Sequence, residues 1–153
     1  MLNVVLYAPE IAMNTGNIGR TCSVTGSRLH LIHPLGFVID DRKLARAGMD
    51  YWHDLDVSFY ENFETFKRRN NNPRVYMVET GAARTYSDIR FAPGDFIMFG
   101  SESAGIPREI LDAYADTALR IPMRKGSRSL NLASSAAVVI FEALRQHDFT
   151  GLS

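Results

Sequence analysis

Three short segments hold most of the side chains able to do chemistry. Asn14-Thr15-Gly16-Asn17-Ile18-Gly19-Arg20 joins amides and glycines to one guanidinium. Phe99-Gly100-Ser101-Glu102-Ser103-Ala104-Gly105-Ile106-Pro107 sets an acid and two serines between glycines. Ile121-Pro122-Met123 runs on through Arg124 and Lys125 to Ser127-Arg128-Ser129-Leu130-Asn131-Leu132. Each follows a short apolar run and ends where a helix can begin. Open α/β sheets bind ligands in loops at the carboxyl ends of their strands, so these three predict one composite site, with the second and third as its floor. Arg124, Lys125 and Arg128, gathered beside Ser and Asn, suit contacts to a phosphate backbone.

Each segment also admits other readings. Gly16 and Gly19 give G-x-x-G without the preceding G-x of a dinucleotide fingerprint, and the loop from Ala8 to Thr15 is too long for the tight turn that brings pyrophosphate to a helix N-terminus. No Walker pattern is present. A purely structural account makes Asn14 or Thr15 a helix cap, the glycines close-packing sites and Arg20 a solvated residue. Ser101-Glu102-Ser103-Ala104-Gly105 approximates a hydrolase elbow, but an elbow launches its helix from the serine, whereas Ile106-Pro107 delays the start. His147 would then have to be the base, from the end of the last helix. In structural terms Gly100 and Gly105 are turn residues and Glu102 a loop acid. Ser127, Ser129 and Asn131 offer caps to the final helix, whose small residues Ala133 to Ala137 allow close packing on the sheet or on a second subunit.

The elements that must position these segments alternate in the βαβ manner of a largely parallel sheet. Strands are expected at Asn3–Tyr7, Arg28–Ile32, Val57–Tyr60, Arg74–Val78, Asp95–Phe99 and Ala118–Ile121. Several are continuous apolar runs, as strands covered on both faces should be. Helices are expected at Asn17–Thr25, Lys43–Ala47, Phe63–Asn70, Pro107–Ala113 and Leu130–Gln146. The 153 residues, 46% of them hydrophobic, suit one α/β domain over residues 1–153 with a six-stranded sheet. Seventeen basic and seventeen acidic side chains cancel, so any hold on nucleic acid must come from local clusters and shape. The single cysteine, Cys22, excludes an internal disulfide and a multi-cysteine zinc site and reads as a buried small hydrophobe. The N-terminus lacks a signal-peptide pattern and no apolar stretch is long enough to span a bilayer, so a soluble, cytoplasmic protein is expected.

Taken in this order, the three segments resemble the motifs of the SPOUT-class, α/β-knot RNA methyltransferases, which use S-adenosylmethionine. The opening Met1–Tyr7, the stretch from Asp41 to Tyr51 with Arg46-Ala47-Gly48, and Ser127–Leu132 are similar to the small single-domain subgroup that methylates the ribose 2′-oxygen of the tRNA wobble nucleotide 34, a cytidine or modified uridine. The chain departs from that pattern at Ala12-Met13, Ala104 and Ala133-Ser134-Ser135. The resemblance implies a deep C-terminal trefoil knot and a homodimer in which the first-segment arginine reaches the partner's cofactor pocket. It implies that Val78, Gly100, Ile121, Met123, Ser129 and Leu130 hold the cofactor. It makes Arg20 the leading catalytic residue, oriented by Asn14, Glu102, Ser129 and Asn131. Arg46, Arg124, Lys125 and Arg128 become candidate contacts to the tRNA anticodon stem-loop, together with Arg42 and Lys43. Tyr51 is a candidate stacking platform and Trp52 a core residue. Neither a metal nor a membrane is implied. A different class, a catalytically silent RNA-binding or assembly module on the same scaffold, shares these motifs.

Overall fold

The computed structural model describes residues 1–40, 42, 43 and 49–153. In chain order these form β1 (Asn3–Tyr7), α1 (Ala12–Thr25), β2 (Arg28–Ile32), β3 (Val57–Tyr60), α2 (Phe63–Arg69), β4 (Val75–Val78), β5 (Arg84–Thr85), β6 (Phe96–Phe99), α3 (Arg108–Ala113), β7 (Ala118–Arg120) and α4 (Leu132–Arg145). Short 3-10 turns lie at Asp50–Asp54, Tyr86–Asp88 and Ala115–Thr117. The strands make one sheet in the order β3-β2-β1-β6-β4-β7-β5, parallel at every pairing.

Alternation along each strand divides the core between the two faces of the sheet. Val4 and Leu6 of β1, Tyr76 of β4 and Ile97 and Phe99 of β6 pack with Ile18 and Cys22 of α1, Trp52, and Val139 and Ile140 of α4. Val5, Met77 and Met98, the intervening residues, pack on the other face with Phe63 and Phe66 of α2 and Ile110 of α3. Both faces are therefore covered, which explains why these strands read as unbroken apolar runs. Cys22 is fully buried, and burial pushes its thiol up to about 12, so it is an inert core residue. Trp52 is likewise core.

Two expectations need correction. The sheet has seven strands, not six: β5 pairs Arg84 with Leu119 and Thr85 with Arg120, and two residues are too few to show a period of two. The first helix begins at Ala12 instead of Asn17, so Asn14, Thr15 and Gly16 lie inside it. Glycine and asparagine are poor helix interiors, but tertiary contacts decide here. A Cβ on Gly16 would meet the Met49 side chain at 2.3 Å, and one on Gly19 would meet Trp52 at 2.9 Å, so both glycines let α1 approach residues 49–55. The helix ends on Gly26 in the left-handed region (φ 65°), with the Ser27 amide donating to the Cys22 carbonyl at 2.9 Å. The other ends fall within two residues of expectation, inside the usual tolerance of helix and strand boundaries. The helix expected at Lys43–Ala47 lies, beyond Lys43, outside the described residues, as does Arg46.

Candidate active site

β1 pairs with β2 on one side and β6 on the other, and crossovers leaving a sheet in opposite directions open a crevice beyond the strand ends. A cavity of about 480 Å³ occupies the carboxyl edge of the sheet. Its lining comes from all three segments: Asn14 from the first, Phe99 to Gly105 from the second, Ile121, Met123 and Ser129 to Leu132 from the third, with Ile11, Val78 to Thr80 and Ser135. Every residue expected to hold a cofactor is there: Val78, Gly100, Ile121, Met123, Ser129 and Leu130. Asn14, Glu102 and Asn131 are there too.

A directed chain of hydrogen bonds joins the three segments. Asn131 heads α4, its Oδ1 accepting from the Ser134 amide at 3.1 Å, while its Nδ2 donates to Asn14 Oδ1 at 3.0 Å. Asn14 Nδ2 donates in turn to Glu102 Oε1 at 3.1 Å. Glu102 also accepts the backbone amides of Glu10 (2.7 Å) and Ile11 (3.1 Å). Ile11 stands at the N-cap of α1 and offers no side-chain acceptor, so Glu102 caps that helix from 91 residues away and sets a negative charge at its positive end. This explains how α1 starts before the sequence suggests.

The second segment is shaped by backbone contact. Ser101 and Gly105 form an antiparallel bridge, Ser101 N donating to Gly105 O at 3.2 Å and Gly105 N to Ser101 O at 2.9 Å. A Cβ on Gly100 would lie 2.1 Å from the Gly105 carbonyl carbon, so only glycine fits. Glu79 fastens this loop to the end of β4. Its Oε1 accepts from the amide (2.9 Å) and hydroxyl (3.1 Å) of Thr80, and its Oε2 from the Ile106 amide at 3.3 Å. Sequence reasoning passed over Glu79. Its place just beyond Val78, at the carboxyl end of a buried strand, was the available signal.

Other expected residues lie elsewhere. Arg20 is exposed on α1 and is not part of this cavity's lining; its guanidinium sits over the Tyr51 ring, 4.8 Å from the centroid. The Tyr51 hydroxyl donates to the Gly16 carbonyl, and burial raises its pKa while Arg20 opposes the rise. Arg124, Lys125 and Arg128 are exposed on the loop between β7 and α4, beside the cavity lining but outside it. The hydrolase arrangement is absent: the Ser103 hydroxyl donates to the Glu10 carboxylate, and His147 Nε2 donates to the Phe91 carbonyl at 2.8 Å. Among the described residues no group of three or more His, Cys, Asp or Glu side chains is placed to share a metal ion.

Among the described residues the lining includes two acids, Glu79 and Glu102, and no Lys, Arg or His. Such a cavity favours a ligand carrying positive charge, and a sulfonium is one; its volume is in the range of small-molecule sites. Fold and site together define an α/β protein whose ligand cavity is built from loops at the carboxyl edge of a parallel sheet. The chain belongs to the SpoU rRNA Methylase family, whose profile matches residues 1–141. It is 45% identical over 152 residues to the tRNA (cytidine(34)-2'-O)-methyltransferase of Escherichia coli (strain K12), covering 99% of this chain and 97% of that one. The enzyme of the same name from Methylovorus glucosotrophus (strain SIP3-4) is also 45% identical, with 99% of each chain covered. A solved structure concerned with "the 2-OH methylation of C/U34 on tRNA" superposes with a TM-score of 0.90 at 41% identity, over 97% of each chain. An AdoMet-bound rRNA methyltransferase from Sinorhizobium meliloti superposes at 0.80 with 26% identity, over 94% of this chain and 56% of that one.

Proposed function

We propose that this chain is an S-adenosylmethionine-dependent methyltransferase acting on the ribose 2′-oxygen of nucleotide 34, the wobble cytidine or modified uridine of tRNA. The observation that carries this is the convergence of the three segments on one acidic cavity, in a chain 45% identical to enzymes of that name. In this reading residues 1–153 form a single domain, and Val78, Gly100, Ile121, Met123, Ser129 and Leu130 hold the cofactor. When bound, the cofactor supplies a methyl group on a sulfonium, open to in-line attack.

The protein's own task is then positioning and charge. A ribose hydroxyl is a weak nucleophile, so the site must hold it in line, let its proton pass to solvent and stabilise the alkoxide character this leaves on oxygen, which then takes the methyl as the methyl–sulfur bond breaks. The Arg20 guanidinium offers only N–H donors, which suits it to donate to that oxygen or to the adjacent phosphate. Asn14, Glu102 and Asn131 orient the segments around it. Arg46, Arg124, Lys125 and Arg128 contact the phosphates of the anticodon stem-loop.

Because Arg20 lies outside the lining of its own cavity, the working unit is a homodimer in which it serves the partner's site. Support comes from α1, where Met13, Asn17, Arg20 and Val24 form one exposed stripe, with Met13 67% and Val24 63% accessible. Exposed Val138 and Phe141 extend the apolar surface on α4, which packs against α1. The C-terminal segment is assigned the trefoil knot of its class, a reading supported by β7 lying inside the sheet and α4 returning to α1. The test is Arg20→Ala, assayed for 2′-O-methylation of tRNA. Turnover should fall at least ~100-fold with cofactor affinity retained. Mixing Arg20→Ala with a cofactor-site variant should restore activity if the arginine crosses between subunits. A dimer that binds no cofactor even with tRNA present would instead establish the silent-module alternative.

A further inference from the structure

A second hollow of about 200 Å³ adjoins the main cavity, lined by Ala8, Glu10, Pro34, Leu35, Gly36 and Ser101. It lies beyond the ends of β1 and β2, whereas the main cavity lies beyond β6, β4 and β7; Ser101 lines both. An acceptor must sit next to its methyl donor, so a hollow sharing a wall with the donor cavity has the right place for the nucleotide that is modified.

Its chemistry narrows what it takes. Ala8, Pro34, Leu35 and the Gly36 backbone give a small, open, largely apolar depression suited to the face of one ring. Among the described residues its one charged group is the Glu10 carboxylate, which repels phosphate and can only accept hydrogen bonds. Glu10 is also fixed in advance. Its amide donates to Glu102 Oε2 at 2.7 Å, and Ser103 donates its hydroxyl to the Glu10 carboxylate. Gly36 closes against it, for a Cβ there would lie 2.7 Å from Glu10 Cα, and the Gly36 amide donates to the Pro9 carbonyl at 2.9 Å. The Ser103 hydrogen bond holds the Glu10 carboxyl below its ordinary pKa, so it stays ionised at neutral pH.

We infer that this hollow receives the base of the nucleotide being methylated and that Glu10 accepts a hydrogen bond from the exocyclic amine of cytosine, an inference that rests on the function proposed above. Carboxylates read cytosine through that amine, whereas uracil offers a carbonyl oxygen at the same position and is repelled. Glu10 is thus a specificity-determining residue for cytidine over unmodified uridine.

The experiment compares wild type, Glu10→Gln and Leu35→Trp on two anticodon stem-loop RNAs that differ only in carrying C or U at position 34. It measures kcat/KM for each RNA and S-adenosylmethionine affinity by calorimetry. Glu10→Gln should lower the rate on C34 about tenfold and narrow the C-to-U ratio, because its amide can also donate to the uracil oxygen. Leu35→Trp should fill the hollow and suppress both reactions. Cofactor affinity should be unchanged in both variants. Wild-type rates and ratio in both variants would overturn the inference while leaving the proposed function intact. Lost cofactor affinity in either variant would also overturn it, by making the hollow part of the donor site. A wild-type enzyme inactive on both RNAs would overturn the proposed function itself, and this inference with it.

Discussion

At the carboxyl edge of the sheet, Asn131, Asn14 and Glu102 hand hydrogen bonds from one to the next along the wall of an open cavity. On the face covered by α2, Asn70, Tyr60, His30 and Asn3 do the same where His30 is 4% exposed and Tyr60 5%. The same kind of bond therefore serves two ends. Beside the cavity, it fixes the relative positions of three loops and caps two helices, leaving room for a ligand. Inside the core, it satisfies Tyr60, His30 and Asn3, which are buried, and leaving such groups unpaired costs more than the bonds themselves contribute. Damage to the first chain should appear mainly in binding and turnover, and damage to the second mainly in stability.

The largest effect expected at the cavity is from Gly100→Ala. Its methyl would fall 2.1 Å from a backbone carbon, so the loop from Ser101 to Gly105 must move. Overpacking of this kind costs roughly 3 kcal/mol, and most of it should appear as an affinity for S-adenosylmethionine reduced ~100-fold, measured by calorimetry. Thermal unfolding should stay cooperative. Unchanged affinity would remove the cofactor from this loop and erase the contrast between the two regions.

The core chain makes the complementary prediction about pH. Burial lowers the His30 pKa from 6.5 to about 4, with Asp56 opposing the shift and Arg28 adding to it. As pH falls, the unfolded chain therefore takes up a proton that the folded chain refuses. This contribution is fully present above pH 7, declines from 6.5 to about 4, and changes no further below that. Between pH 7.5 and 5 it amounts to about 2 kcal/mol, readable by urea titration at the two pH values. In His30→Gln the baseline will differ, but this pH-dependent component should vanish.

A smaller change separates the regions from the cavity side. Asn14→Ala removes both bonds at the middle of that chain, which should lower stability by about 1.5 kcal/mol. Turnover should fall further than stability alone accounts for, since the segments of the site lose their common tie. Equal loss in both measurements would make the cavity chain no more than a structural brace.

How much of this was legible in the sequence follows the same division. The apolar strands were legible because burial on both faces leaves a continuous local record in residues such as Val4, Val5 and Leu6. The three segments were legible because glycine, asparagine and serine cluster where strands end. The start of α1 was not, because its cap is Glu102, 91 residues beyond Ile11. Nor was Glu79, whose partners Thr80 and Ile106 belong to separate loops. The pairing of His30 with Asn3 and Tyr60 spans 27 and 30 residues and depends on sheet register, which a one-dimensional pattern does not contain.

The smallest effect tests the direction of the core chain. Asn70 Nδ2 donates to the Tyr60 hydroxyl oxygen at 3.2 Å, so the Tyr60 proton is free to point to His30 Nδ1, 2.8 Å away. His30 then carries its own proton on Nε2 and donates to Asn3 Oδ1 at 3.1 Å, and Asn3 Nδ2 completes the chain by donating to the Gly94 carbonyl at 2.8 Å. Reversing any one bond would set two donors or two acceptors against each other in a site closed to water. Nitrogen-15 NMR of the imidazole should therefore find the Nε2–H tautomer at neutral pH. Asn70→Ala removes two side-chain hydrogen bonds, to the Tyr60 hydroxyl and to the Phe66 carbonyl, but water reaches this half-buried position, so it should cost about 1 kcal/mol and leave that tautomer in place because Asn3 still requires a donor. A switch to Nδ1–H in this variant would show that Asn70, and not Asn3, sets the orientation of the chain.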